Sequence, residues 1–194
     1  IAISLGAVEN LQAGIGGPVT SGQGRLLAIV DESTKRLARL IENLLDLSRH
    51  DADRFEIRSH RIDLRDPVRT AAEGFQSLAE KKRRKIEILL PRETVEASAD
   101  ADKIVQVVGN LLDNALRFAR SRIEVSLARQ DSTASISVRN DGEGISEEEI
   151  PLLFEKFYRS PTSPKGRIGL GLYIARAIVE AHGGEILVAN LPPS

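Results

Sequence analysis

The chain has 194 residues, 41% of them hydrophobic, no cysteine, and 27 Lys and Arg against 28 Asp and Glu. That length suits one large domain or two small ones with packed cores, and the lack of cysteine excludes disulfides and thiolate metal sites. The near-neutral charge gives no general attraction to nucleic acid or an anionic membrane, and no apolar run approaches the length that spans a bilayer. Ile1, Leu5, Val8, Leu11 or Gln12, and Ile15 recur at helical spacing until the glycines and Pro18 break the pattern, which predicts the tail of one helix. From Leu26, positions 26, 30, 33, 37, 40, 44 and 47 alternate by four and three and are apolar except at Ser33, which predicts the second arm of a helical hairpin. Two such helices cannot bury their stripes alone. Pairing two hairpins into a four-helix bundle across a two-fold axis covers them, so residues 1–51 are expected to form a homodimer. The alternative is an intramolecular coiled coil packed on the second domain.

Residues 51–61 are polar and connect to a mixed pattern. Pro67 lies early in a helix expected to run to about Lys82. The basic run Lys81 to Lys85 reads as its solvated end. Strands are expected at 85–90 and 95–98 around Pro91. Asp100 or Asp102 can cap the next long helix, whose Ile104, Val107, Val108, Leu111 and Leu112 would face a sheet. Residues 123–127 and 134–138 alternate with period two and predict a hairpin. Ser146 through Glu149 reads as a capping box opening a helix through Phe157. A polar loop follows, then a helix over 172–181 stopped by His182, Gly183 and Gly184, and a strand over 185–189. The fold class is therefore α+β: a helical hairpin over 1–58, then an α/β sandwich over 59–194 with helices on one face of a mixed sheet.

The chemistry concentrates in three segments. Asn110 and Asn114 stand at i and i+4, on one face of a helix, and offer two amide oxygens to one region of space. Mg²⁺ accepts such hard donors, and one or two suffice where it also bridges phosphates. Gly142 and Gly144 follow a predicted strand and would let backbone approach a flat ligand. Gly169 and Gly171 open a helix whose terminal amides and dipole favour phosphate. No Gly-Lys-Ser/Thr follows them, so this is not a P-loop. Between these segments, residues 158–168 have the composition of a mobile loop.

In this order the segments resemble the kinase core of bacterial sensor histidine kinases: 110–118 its N box, 140–145 its first glycine box, 154–159 its F box and 169–172 its second glycine box. The resemblance implies ATP and Mg²⁺ as cofactors. It places Asn114 on the metal, Asn110 in support of the metal or an attacking water, Arg117 on the phosphates and Phe118 against adenine. Asn140, Asp141, Gly142, Gly144 and Ile145 would form the adenine side, and Gly169, Leu170, Gly171 and Leu172 the phosphate side. The family carries Asp where this chain has Asn140; an amide oxygen can still accept the adenine amino group, and Asp141 would serve if the register shifts by one. Residues 158–168 would be a lid closing over ATP, with Arg159, Lys165 and Arg167 available to phosphate and Phe154 and Phe157 anchoring its hinge in the core.

The family's phosphoacceptor motif, similar to His-Glu-Leu-Arg-Thr-Pro, does not occur. His50, His60 and His182 read as surface or cap residues, and residues 1–4 resemble the stretch just after the motif, so the acceptor is expected a few residues before Ile1. Start and composition, with no Met at all, fit part of a longer protein, the cytoplasmic portion of a membrane-anchored sensor. Its partner would be a response-regulator receiver domain, with no nucleic acid and no membrane contact except through segments outside this sequence. Two rivals stand beside this reading. One is a gyrase-like or mismatch-repair-like ATPase, which would carry a glutamate base where Asn110 stands. The other is a non-catalytic dimeric scaffold that keeps the fold.

Overall fold

A computed structural model describes residues 2–51, 56–160 and 169–191. The chain divides into two compact units, Ile1–Asp53 and Arg54–Ser194.

The first unit is a hairpin of α1 (Ala2–Gln12) and α2 (Ser21–Asp51). Gly14 and Gly17 adopt positive φ in the connection, a conformation that costs glycine little. The start of α2 is set by Thr20. Its hydroxyl accepts from the Gln23 N–H at 3.3 Å, and the Gln23 side chain accepts from the Thr20 N–H at 2.9 Å. This reciprocal cap extends α2 five residues ahead of the apolar repeat that begins at Leu26. Val8 is buried between the arms, whereas Leu26, Ile29, Val30, Leu37 and Ile41 are exposed. An isolated hairpin leaves this stripe in water.

The second unit orders as β1 (His60–Asp63), α3 (Arg65–Lys81), β2 (Lys85–Leu89), β3 (Glu96–Ala99), α4 (Ala101–Phe118), β4 (Arg122–Gln130), β5 (Thr133–Asn140) and α5 (Gly171–Ala181). In the mixed sheet β2-β4-β5, β2 runs parallel to β4 and β4 antiparallel to β5. The pair β1-β3 is antiparallel. Alternation in β4 sends Ile123, Val125 and Leu127 inward. Ile123 and Val125 pack with Val68 and Ala72 of α3 and Val108, Leu112 and Leu116 of α4. On the opposite face of the sheet Arg122 pairs with Glu87 at 2.8 Å and Glu124 at 3.5 Å. A smaller core of Leu64, Val95, Ala99 and Leu127 closes the β1-β3 end.

Three expectations change. Residues 60 and 61, read as the end of the connection, instead begin β1; the sequence His-Arg-Ile-Asp has no period-two apolar pattern to announce a strand. The helix expected over 146–157 is reduced to a 3-10 turn at Ile150–Leu152. There Ser146 Oγ bonds the Glu149 carboxylate at 3.2 Å, and Pro151 has no N–H to continue the pattern. Residues 185–189 are assigned to no strand.

Candidate functional site

Helix α4 is the spine of the site, and its N-terminus is fixed from three sides. Asp100 is the N-cap, with one carboxylate oxygen accepting from the Lys103 N–H at 3.2 Å and the other from the Arg58 N–H at 3.0 Å. Burial pushes the Asp100 carboxyl up, but these amide bonds and the Lys103 charge outweigh it and hold the carboxyl below its ordinary value. The Asp100 N–H donates to His182 Nε2 at 3.0 Å, while His182 Nδ1 lies 2.8 Å from the Ile178 carbonyl. A carbonyl partner requires the proton on Nδ1 and an N–H partner requires the lone pair on Nε2. His182 therefore ties the end of α5 to the start of α4, as a cap residue should.

Further along α4, Asn110, Asn114 and Arg117 fall at i, i+4 and i+7 on one stripe, all half-buried. The Asn110 Nδ2 is buried and has no hydrogen-bond partner among the described residues. Its Oδ1 lies 3.5 Å from the place a Cβ would occupy on Gly171, the first residue of α5. The N-cap of α5, Leu170, makes no side-chain cap bond, so the first-turn amides of α5 stand beside Asn110 without a side-chain acceptor at the cap. Burial lowers the Arg117 pKa and the Arg159 charge lowers it further, so two guanidinium groups share one neighbourhood. Arg117 also stacks over the Phe118 ring, 5.8 Å from its centroid.

The first glycine segment sits against the end of this helix. A Cβ on Gly142 would fall 2.3 Å from the Phe118 carbonyl oxygen and 2.6 Å from Asn140 Nδ2, so only glycine fits. Asn140 is exposed at the end of β5. The Asp141 carboxylate is turned away to the α4–β4 turn, accepting from the Arg120 N–H at 2.8 Å, the Ser121 N–H at 3.0 Å and the Ser121 hydroxyl at 2.6 Å. Burial raises its pKa, but those donors, the Ser121 hydroxyl first, drive it far below the ordinary carboxylate range.

The two ends of the loop over 158–168 meet. The Phe157 N–H donates to the Gly169 carbonyl at 3.1 Å. Gly169 has φ +77°, and a Cβ there would lie 2.4 Å from the Tyr158 carbonyl oxygen. Phe157 itself has φ +65° and is 55% exposed. It does not anchor the hinge in the core, as the sequence suggested; its backbone is turned to reach Gly169, which directs the ring outward. Glu149 braces this end, accepting from the Tyr158 hydroxyl at 3.1 Å. Residues 161–168, and with them Lys165 and Arg167, lie outside the described residues.

Sequence reasoning missed Asn190. Its amide accepts from the Ile145 N–H at 2.8 Å and donates to the Ile145 carbonyl at 2.6 Å, and its Oδ1 lies 3.1 Å from the Cβ position of Gly144. No local pattern announces a pairing across forty-five residues. Thr20 could have been found from its Thr-x-x-Gln spacing.

The donor set fits a hard cation carried on a polyphosphate. It comprises amide oxygens on one helix face, an uncapped helix N-terminus and converging guanidinium groups. Residues 99–194 match the family of histidine kinase-, DNA gyrase B- and HSP90-like ATPases, and residues 1–53 match the His kinase A (phospho-acceptor) domain. The sensor protein KdpD of Clostridium acetobutylicum is 36% identical over 166 residues, 82% of this chain and 18% of that protein. The signal transduction histidine-protein kinase BaeS of Escherichia coli is 30% identical over 197 residues, 99% of this chain and 41% of that protein. The chain thus spans less than half the length of these relatives. Among solved structures, the catalytic domain of histidine kinase ThkA is 27% identical with a TM-score of 0.63, covering 70% of this chain and 89% of that one. No helix among the described residues is long and apolar enough to cross a membrane. With both halves of the chain matched in order and the relatives aligned across the join, the chain belongs to the sensor histidine kinases.

Proposed function

We propose that this chain is the ATP-dependent kinase core of a two-component system. The unit after about residue 58 binds Mg-ATP and delivers the γ-phosphoryl group to a histidine upstream of Ile1, from which it passes to a response-regulator aspartate. The observation that carries the reading is the stripe Asn110, Asn114, Arg117, half-buried beside the uncapped start of α5 and holding a buried amide nitrogen without a partner among the described residues. Buried polar groups are ordinarily satisfied, and an anionic ligand would satisfy these. Asn114 and Asn110 would hold Mg²⁺, which when bound supplies charge neutralisation for the phosphates. Arg117 and Arg159 would hold phosphate oxygens, and the amides of Gly171 and Leu172 would orient the chain. Catalysis in such a site is chiefly positioning and electrostatics. Asn140 is the candidate acceptor for the adenine amino group, because the Asp141 carboxylate is already engaged by Arg120 and Ser121. Residues 1–51 would form the homodimer, consistent with the exposed stripe on α2.

The second reading, a dimeric scaffold that does not bind nucleotide productively, draws on the same observation: neither Asn140 nor Asp141 offers an available carboxylate to adenine. Calorimetric titration with a non-hydrolysable ATP analogue, with and without Mg²⁺, separates the two. Saturable, Mg²⁺-dependent binding that Asn114→Ala abolishes supports the kinase core. A folded wild-type protein that binds nothing supports the scaffold.

A further inference from the structure

We propose that Asn190 is a positioning residue for the nucleotide site, fixing the glycine segment 141–145 through the backbone of Ile145. The inference rests on the reading that this segment borders a nucleotide. Three attachments hold the loop after β5. At its start Asp141 is bound to the amides of Arg120 and Ser121. At its end the Glu149 and Ile150 N–H groups donate to the Ser146 carbonyl, at 2.9 and 3.2 Å. Between them the Asn190 amide closes two hydrogen bonds on one residue, Ile145 N–H at 2.8 Å and Ile145 carbonyl at 2.6 Å.

This is the pattern of a β-ladder pair, made by a side chain where no strand pairing is assigned to either segment. It requires a group that donates and accepts from one short planar head, which among side chains of this length only asparagine supplies. The glycine at 144 belongs to the same device. A Cβ there would press on Asn190 Oδ1 at 3.1 Å, so the missing side chain admits the amide. Gly144 is therefore explained by a contact within the protein, whereas the sequence suggested close approach to a ligand. The glycine segment is held in its shape before any nucleotide arrives, which lowers the ordering cost of binding.

The test compares wild type, Asn190→Ala and Asn190→Asp by titration with the same ATP analogue and Mg²⁺, with folding checked by circular dichroism. Asn190→Ala removes both bonds, and the affinity is expected to fall about tenfold, the scale of one to two lost hydrogen bonds. Asn190→Asp keeps the acceptor for the Ile145 N–H but sets a carboxylate against the Ile145 carbonyl. Its defect should match that of Asn190→Ala at pH 7.5 and recover as the pH is lowered through about 4, the ordinary range of an Asp carboxyl, where the introduced group regains a proton to donate. A general loss of structure would not produce that recovery. Amide exchange at Ile145 in ligand-free protein should accelerate in Asn190→Ala. Wild-type binding with unchanged affinity in both variants would overturn the positioning role and leave the nucleotide reading intact. Wild type that binds no nucleotide would overturn the nucleotide reading, and the positioning role with it.

Discussion

Replacing Gly142 with alanine should damage both the fold and the site. The added methyl would meet the Phe118 carbonyl oxygen at 2.3 Å, the Phe118 carbonyl carbon at 2.9 Å and Asn140 Nδ2 at 2.6 Å. Two of these atoms are backbone at the end of α4 and cannot rotate away, so one chain segment must shift by roughly 1 Å to restore ordinary contact near 3.5 Å. Overpacking of this kind costs about 1–3 kcal/mol, and the rigid obstruction places this case near the upper limit. For a unit of this size that corresponds to a fall in Tm of roughly 10 °C. The shift moves Phe118 and Asn140 together, so affinity for an ATP analogue should fall as well. The control is Gly74→Ala. That glycine lies exposed inside α3 with nothing within 4 Å of the new methyl, and the substitution should stabilise by about 0.5–1 kcal/mol through helix propensity. Thermal unfolding followed by circular dichroism reads both. A Gly142→Ala variant melting within 2 °C of wild type with unchanged affinity would refute the close approach of the glycine segment to α4.

Three further outcomes are expected. Asp100→Ala removes the N-cap of α4 and the acceptor for Arg58, and should cost about 1–2 kcal/mol in chemical denaturation, with Asn in its place retaining most of the stability. The hydrogen bonds from the Arg65 guanidinium hold the Asp63 carboxyl at about 2, against the upward pull of burial and helped by the Arg65 and Val95 amides. The stability from this ionised group is therefore fully present above about pH 4 and lost as the pH falls through about 2; the gap between wild type and Asp63→Asn in acid denaturation should close over that window, and a gap independent of pH would contradict the assignment. Arg117→Met should weaken binding of the ATP analogue at least tenfold while leaving Tm unchanged or higher, because it removes a half-buried charge that burial and Arg159 both disfavour; a large fall in Tm would show the arginine to be structural.

The parts of this protein legible in the sequence are those encoded over short distances. The stripe on α2 at Leu26, Val30 and Leu37, the capped α4 with its two asparagines and the β4–β5 hairpin each follow from spacings of two to seven residues, and each is present; the side chains at 40, 44 and 47 lie outside the described residues. What was not legible depends on partners far apart. Strand β1 forms because Ile62 faces Ala97 in a ladder with β3, and four residues without apolar alternation do not reveal that pairing. Glu149 sits in a capping-box spacing, yet its carboxylate takes the Tyr158 hydroxyl and the Ser146 hydroxyl; the long helix the spacing suggested gives way to a brace between the turn at Glu149 and Tyr158. At Asn140 and Asp141 the sequence left two carbonyl-type acceptors open; the engagement of the Asp141 carboxylate by Ser121, twenty residues away, follows from no local spacing.

The site contrasts with its frame. Asp141, Asn190, Glu149, Asp100 and His182 each have hydrogen-bond partners, so the walls are complete without a ligand. Between these walls, Asn110 Nδ2 has no partner among the described residues, the α5 cap makes no side-chain bond, and Arg117 is disfavoured by burial and by a like charge. Each of these three would gain from oxygen-rich negative charge and none from an apolar molecule. Free energy left unsatisfied in the apo state is recovered on binding and lowers Kd, so nucleotide should stabilise this unit by linkage. At a hundredfold excess over Kd, linkage alone gives about 2.7 kcal/mol, or a rise in Tm of roughly 8 °C. An ATP analogue with Mg²⁺ should reach that shift in differential scanning calorimetry, and adenosine at the same concentration should give a much smaller one because it brings no charge to Arg117 or the start of α5 and so binds more weakly. Equal shifts from the two would mean that the arginine and the helix terminus do not bear on the ligand.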